Sequence, residues 1–169
     1  TTGDIRDGRK KIQEQDGSNL MYTARMRYTG IAGVELAVYT NYAQDFDNSP
    51  ASGEISGQMW GGNINMSPTE GFGFRGLYGW WDLDCDTTHV CNTNGYAHQW
   101  GGYIEPSYRW SIGGAMDSSV GVFTRFQMND EKADSSAAGK SAKVRQYDYG
   151  FNYWLSPNAV LKVDYENTK

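Results

Sequence analysis

The sequence predicts an all-β fold, an antiparallel up-and-down transmembrane β-barrel. Three observations lead to this prediction. Apolar and polar residues alternate with a period of two along about eight segments, and successive side chains of a strand leave it on opposite sides. The connections between these segments are alternately short and long, and aromatic residues are concentrated near both segment ends. Bacterial outer-membrane barrels have short turns on one side, long loops on the other and two aromatic girdles.

The clearest pattern lies in Tyr147–Glu166, which reads YDYGFNYWLSPNAVLKVDYE. Within its two alternating runs, one face is aromatic or aliphatic, and the other carries Asp148, Lys162 and Asp164. Residues 155–158 interrupt the alternation, and the proline among them suits the second position of a tight turn. The stretch therefore predicts a β-hairpin with one apolar face and one charged face.

The same alternation predicts the other strands in chain order. The eight predicted strands span 19–28, 34–43, 55–66, 72–81, 96–110, 120–128, 147–154 and 159–166. The third has the weakest pattern because glycine weakens a strand interior. The predicted short connections are 29–33, 67–71, 111–117 and 155–158, and the long ones are 45–54, 82–95 and 129–143. We interpret residues 1–18 as a loop or polar remnant, and residues 19–169 as the β-barrel portion.

Aromatic residues mark both ends of the predicted strands, whereas small or aliphatic residues occupy the middles. Those near the short turns are Tyr28, Phe72, Phe74, Tyr108, Trp110, Tyr153 and Trp154. Those near the long loops are Tyr42, Trp80, Trp81, Trp100, Phe126, Tyr147 and Tyr165. Tyrosine and tryptophan suit an interface because each ring has an apolar body and a polar tip. A soluble sandwich or barrel also alternates, but it requires neither paired girdles nor segregated loop lengths.

Length and composition indicate one domain and argue against several classes of protein. The chain has 169 residues, enough for one domain, and a formal net charge of −5, which argues against nucleic acid as a partner. No apolar run approaches the roughly 18 residues of a membrane helix, which excludes a helical membrane protein. The chain starts at Thr1 without the segments of a signal peptide, so we expect a mature chain or a fragment.

The polar faces carry the charges that a pore would present to its solutes. The predicted basic pore-lining residues are Arg25, Arg27, Arg75, Arg109, Arg125 and Lys162. The predicted acidic ones are Glu35, Glu105, Asp148, Asp164 and Glu166. Four basic residues lie near a short turn, namely Arg27, Arg75, Arg109 and Lys162. We expect them to form a band that favours anions, because guanidinium matches phosphate geometry. Alternatively, the arginines pair with carboxylates in a structural wall network.

Two cysteines, Cys85 and Cys91, lie close together in a polar loop, which predicts one disulfide in an oxidising compartment. His89 lies between them, but two bridged cysteines and one histidine make a poor metal site.

Three aspartates of that loop also fail as a calcium motif. Asp82, Asp84 and Asp86 alternate, but Thr87 and Thr93 stand where an EF-hand needs Gly and Glu. No nucleophile triad, phosphate loop or carboxylate pair stands out. We therefore predict no metal, no cofactor and no enzymatic activity.

Four segments resemble a known family. They read FGFRGLYGWWDLD (72–84), GGYIEPSYRW (101–110), GVFTRFQMND (121–130) and YGFNYWLSPNAVLKVDYE (149–166). These strings are similar to the phosphate-selective porin O and P family of outer-membrane porins, and the similarity is weaker before Glu54. Barrels of this family exceed eight strands, usually form trimers, begin with a signal peptide and end in an aromatic residue. This chain ends in Asn167-Thr168-Lys169, so the resemblance implies an interior portion of a barrel of about 16 strands.

The resemblance implies a porin of the bacterial outer membrane, a water-filled channel for passive diffusion of small hydrophilic solutes or anions. It also implies a homotrimer in contact with membrane lipid and lipopolysaccharide. Two other interpretations stay open. One is a soluble β-sandwich that binds carbohydrate through exposed Trp and Tyr. The other is a small outer-membrane barrel without a pore, because eight strands enclose an interior filled by side chains.

Overall fold

The computed structural model describes residues 19–45, 55–68, 70–84, 95–114, 117–133 and 143–169. No helix occurs in these ranges, so none of the described chain is a helix able to cross a membrane. The strands are β1 (Met21–Tyr28), β2 (Val34–Ala43), β3 (Ser56–Met66), β4 (Gly71–Asp84), β5 (His98–Gly113), β6 (Ser118–Asp130), β7 (Lys143–Ser156) and β8 (Ala159–Thr168). They form one antiparallel sheet in chain order, which confirms the predicted up-and-down arrangement.

The connections between strands differ in length on the two sides of the sheet. The short connections are 29–33, 67–70, 114–117 and 157–158. The long connections are 44–55, 85–97 and 131–142. Because neighbouring strands run in opposite directions, all short connections lie at one end of the sheet and all long ones at the other. We call these the short-turn end and the long-loop end.

At the long-loop end, strands extend beyond their predicted limits into polar sequence. β4 continues to Asp84 instead of ending at Trp81. Asp82 in this extension pairs with His98 of β5, and their side chains approach to 2.8 Å. β7 likewise begins at Lys143, ahead of its predicted start. The extensions form because main-chain pairing does not require apolar side chains.

The sheet has two edges within the described residues. There β1 pairs only with β2, and β8 pairs only with β7. Each edge presents a row of main-chain groups that could pair with a further strand. Closure of the sheet into a barrel therefore stays a prediction.

At the centre of the sheet the apolar face is exposed and the polar face is buried, which is the reverse of a sheet in a soluble protein. On the central strand β5, Ile104 is 51% exposed, whereas its neighbour Glu105 is only 5% exposed. At the sheet edges, Met26 and Val163 on the apolar face are 71% and 69% exposed. Asp148 on the polar face is buried. The apolar side chains are thus largely exposed, and the buried charges, Glu105 and Asp148, lie on the polar face.

Few apolar side chains are buried among the described residues, and those that are buried are mostly small. They are Ala37, Ala43, Ile55, Leu83 and Ala97. Ile55 and Leu83 form a small cluster with Tyr96 close to the long loops. A soluble domain of this size normally buries many large apolar residues. The described sheet consequently lacks the core expected of a protein that folds in water.

Glycines on the polar face leave gaps that aromatic rings from neighbouring strands fill. The three pairs are Tyr39 against Gly61, Trp154 against Gly121 and Phe123 against Gly150. A Cβ atom at Gly121, for example, would lie 2.9 Å from the Trp154 ring. Covering a glycine with a neighbouring aromatic ring compensates for its missing side chain within a sheet. Gly61, one of the glycines that weaken the β3 pattern in sequence, is therefore compatible with a well-packed strand.

Gly102 on the apolar face is enclosed by main chain as well as by a ring. A Cβ atom at this position would lie 2.7 Å from the Leu77 carbonyl oxygen and 3.0 Å from Cδ2 of Tyr78. By contrast, a Cβ atom at Gly79 would meet only the Trp60 carbonyl oxygen, at an ordinary 3.6 Å.

We predict that Gly102→Ala lowers the free energy of unfolding by about 1–3 kcal/mol, because the added methyl group overpacks against immobile main chain. Gly79→Ala is the matched control, since it makes the same chemical change where space exists. Urea unfolding followed by tryptophan fluorescence measures both. Equal stability of the two variants would contradict the close approach at Gly102.

Candidate functional site

A row of charged side chains crosses the polar face from β2 to β8. Strand register places its members opposite one another, and the β5–β6 step is made by a salt bridge. The row, which we call the charged row, consists of Glu35, Arg75, Glu105, Arg125, Asp148 and Glu166, with the neutral Asn65 between Glu35 and Arg75. From Arg75 to Asp148 the signs alternate. Opposite charges on adjacent strands attract, so this part of the row is electrostatically favourable, whereas Asp148 opposite Glu166 places two like charges together.

Glu105 is the centre of the charged row. Arg125 donates from both Nε (2.8 Å) and Nη2 to the same carboxylate oxygen of Glu105. Arg75 approaches the other oxygen at 3.5 Å. The Glu105 side chain is 7% exposed, and the guanidinium of Arg125 also lies 4.8 Å from the Tyr103 ring centroid. A buried carboxylate with two arginines is a compensated charge, because each removes part of the cost of dehydration.

A second, more exposed ion-pair group lies at the β1 edge. Arg25 and Arg27 both approach Glu35, at 2.9 and 3.5 Å. These two arginines, like Arg75 and Arg125, contact carboxylates. Such contacts are what the alternative interpretation, a structural wall network, predicts.

Arg109 is held differently from the other arginines. Its Nε donates to Ser119 at 2.8 Å, and its guanidinium lies 4.0 Å from the centroid of a Trp154 ring. Lys162 lies at the same level of the sheet as Arg109, because Arg109 pairs with Gly121, Gly121 with Asn152, and Asn152 with Lys162. Among the described residues, neither cation has a carboxylate within 4.0 Å. Their charges are therefore available to a solute.

These groups surround a depression of about 420 Å³ on the polar face, toward the short-turn end. Its charged lining residues are Arg75, Arg109, Arg125, Lys162, Glu105 and Asp164. Four cations against two carboxylates give the depression a positive balance. We call it the basic depression.

The structure brings three members of the predicted basic band together, namely Arg75, Arg109 and Lys162. Arg27 lies apart from them at the β1 edge. Cys85 and Cys91 lie outside the described residues, so their disulfide stays a prediction. No cluster of three or more His, Cys, Asp or Glu able to hold a metal occurs in the part of the chain that the structure describes.

Trp81 and Trp154 do not belong to the lipid-facing girdles predicted from sequence. Both lie on the polar face, because their neighbours Trp80 and Tyr153 occupy the apolar face and adjacent residues of a strand alternate. Strict counting of the alternation would have assigned them correctly. Ser119, which anchors Arg109, had no sequence signal, because its contact depends on register between β5 and β6.

Asn152 is the least well satisfied residue in this region. Its Oδ1 atom is buried, and among the described residues no hydrogen-bond donor reaches it. A buried amide oxygen without a partner normally costs stability, so the polar face is not optimised for packing alone.

A larger depression, of about 720 Å³, lies on the apolar face. Leu36, Val38, Ile64 and Ile104 line it around two glycines, Gly62 and Gly76. The lining is mainly aliphatic and aromatic, so it offers contact chiefly with apolar groups.

Comparison with protein families, with curated proteins and with solved structures found no match to this chain.

We predict that Glu105→Gln lowers the free energy of unfolding by about 1–3 kcal/mol, since two arginines lose their shared carboxylate in a buried site. Glu35→Gln is the matched control. It also removes a carboxylate shared by two arginines, but there the pairs are more exposed and contribute less than about 1 kcal/mol. Urea unfolding of both variants checks the difference. A larger loss in the Glu35 variant would contradict the central position of Glu105.

Proposed function

We propose that this chain forms part of the wall of an outer-membrane porin, a water-filled channel for passive diffusion of small hydrophilic solutes. The observation that carries the proposal is the inverted burial of the sheet, with Ile104 exposed beside buried Glu105. In a membrane barrel the apolar face contacts lipid and the polar face lines the interior.

The ends of the strands support the same proposal. On the apolar face, Tyr108 and Trp110 lie near the short-turn end with ring centroids 4.6 Å apart. Trp80 and Trp100 lie opposite each other near the long-loop end. Such rings suit both membrane interfaces, and short turns opposite long loops match periplasmic and external connections.

The open edges suggest how the sheet would be completed. Unpaired main-chain groups of β1 and β8 would be costly in hydrocarbon, so a membrane barrel must satisfy them with further strands. We therefore extend the proposal to a barrel of about 16 strands, a size that leaves an aqueous channel rather than a filled interior. The trimeric state implied by the resemblance belongs to the same proposal.

The charges of the basic depression support a preference for anions. Arg75 and Arg125 share Glu105, which offsets much of their field. Arg109 and Lys162 lack such partners among the described residues, so they contribute most of the attraction. Arginine and lysine on a pore wall favour anions, and salt screens their field over about 8 Å at physiological ionic strength. The preference should therefore weaken as salt rises.

The membrane location is tested by placing a charge on either face. We predict that Ile104→Arg lowers the free energy of unfolding in lipid vesicles by about 2–4 kcal/mol, because arginine near the bilayer centre is costly. Leu77→Arg is the matched control, since Leu77 is also exposed but lies on the polar face. We expect a change below about 1 kcal/mol for it.

Two outcomes would reject the membrane proposal. One is a protein that is folded and monodisperse without detergent, as expected for a soluble sandwich that binds carbohydrate. The other is equal destabilisation by the two arginine substitutions in vesicles.

The preference for anions is tested by reversal potentials across a planar bilayer under a KCl gradient. We predict that the double variant Arg109→Gln with Lys162→Gln lowers the chloride-to-potassium permeability ratio by about twofold or more at low salt. Lys143→Gln with Arg145→Gln removes the same charge from the apolar face and should leave the ratio unchanged. Cation preference in the unmodified channel, or equal shifts in both double variants, would show that Arg109 and Lys162 do not set selectivity.

A further inference from the structure

Three basic residues stand together at the long-loop end of the face that is apolar along the strand middles. Lys143 and Arg145 occupy alternate positions at the start of β7, and Lys169 follows β8. All three are exposed. Arg145 is on the same face as Tyr147, which is half-buried, and Tyr149, which is exposed. We call Lys143, Arg145 and Lys169 the outer basic patch.

Two cations of the outer basic patch face each other directly. Arg145 donates its main-chain N–H to the Lys169 carbonyl at 3.0 Å, and Lys169 donates back at 2.8 Å. Residues that exchange both hydrogen bonds carry side chains about 5 Å apart at Cβ, and like charges in this position repel. An anion between them would turn the repulsion into attraction.

Nearby carboxylates offset the charge of the outer basic patch only in part, since opposite charges on paired residues attract. Asp130 is opposite Lys143, but it is buried and accepts the Lys132 main-chain N–H at 3.0 Å. Asp82, on β4, is bonded to His98. Among the described residues, no carboxylate lies within 4.0 Å of Lys143 or Arg145. The patch therefore retains a net positive charge.

The surroundings of the outer basic patch are amphipathic. The Lys143 ammonium lies 5.6 Å from the centroid of the Trp100 ring, which belongs to the aromatic band of the apolar face. Tyr149 and Tyr165 lie further along the strands and are 54% and 62% exposed. The cations thus stand where apolar surface gives way to polar loops. A ligand that combines a phosphate with an acyl body would match both parts.

We infer that the outer basic patch binds the phosphate of a phosphorylated lipid headgroup in the leaflet on the long-loop side. The inference rests on the proposed membrane location and assigns a partner to a surface outside the channel. Arg145 can form paired hydrogen bonds to phosphate oxygens, while Lys143 and Lys169 supply point charges beside it. Each lysine or arginine near a membrane surface adds to anionic lipid binding. In a bacterial outer membrane, the phosphorylated lipid of the external leaflet is the lipid A part of lipopolysaccharide.

The test measures binding of diphosphoryl lipid A to the detergent-solubilised protein by microscale thermophoresis. Lys143→Gln with Arg145→Gln should weaken binding by about tenfold or more, because two cations are lost. Arg109→Gln with Lys162→Gln removes equal charge from the polar face and should bind as the unmodified protein does. Exchanging the two patch residues, Lys143→Arg with Arg145→Lys, keeps the charge and should retain most of the affinity.

Lipid A lacking phosphate should bind to the unmodified protein as weakly as diphosphoryl lipid A binds to the glutamine variant of the patch. Inorganic phosphate in excess should compete poorly, because it lacks the acyl body. Equal affinity for the two lipids, or equal losses in the two glutamine double variants, would overturn the inference. Full competition by inorganic phosphate would overturn the lipid assignment in favour of a simple anion site. Normal channel conductance alongside any of these results would show that the lipid site fails and the proposed function stands.

Discussion

The antiparallel hydrogen-bond ladder is the interaction on which the rest of this structure depends. Large apolar side chains contribute little to a buried core, since the buried apolar residues among those described are mostly alanines. Pairing between neighbouring strands fixes the register, and the register decides which charges meet. Glu105 is compensated only because β4 and β6 bring an arginine to each side of it. The electrostatics of the polar face are thus a consequence of main-chain geometry.

The polar face achieves close packing with aromatic rings and glycines rather than with an aliphatic core. The Trp154 ring covers Gly121 and at the same time supports the guanidinium of Arg109. A flexible arginine would lose considerable side-chain entropy on ordering. Contact with a fixed ring and with Ser119 restricts it within the folded sheet. The same glycine that weakens the strand by propensity therefore helps to position a charge.

Much of the fold could be predicted from sequence because period-two alternation depends only on local geometry. The face of Glu105 and the order of the eight strands follow from that alternation and from the turns. The division of the arginines into compensated and available charges did not follow. It requires the register that places Arg125, but not Arg109, beside a carboxylate. Strand ends were also missed, because the ladder continues past Trp81 through polar residues that carry no strand signal.

The alternation seen at Ile104 and Glu105 also limits how the length of this chain can vary. Inserting one residue in the middle of a strand would exchange its two faces, whereas inserting two would restore them. Insertion of an odd number of residues can be accommodated where the strand pairing already contains an irregularity. The two irregularities within the described strands, at Ser111/Gly113 and Trp154/Ser156, both lie at the short-turn end, beyond Arg109 and Lys162. Strand middles should thus tolerate length changes only in steps of two, while single-residue steps are confined to the ends and loops.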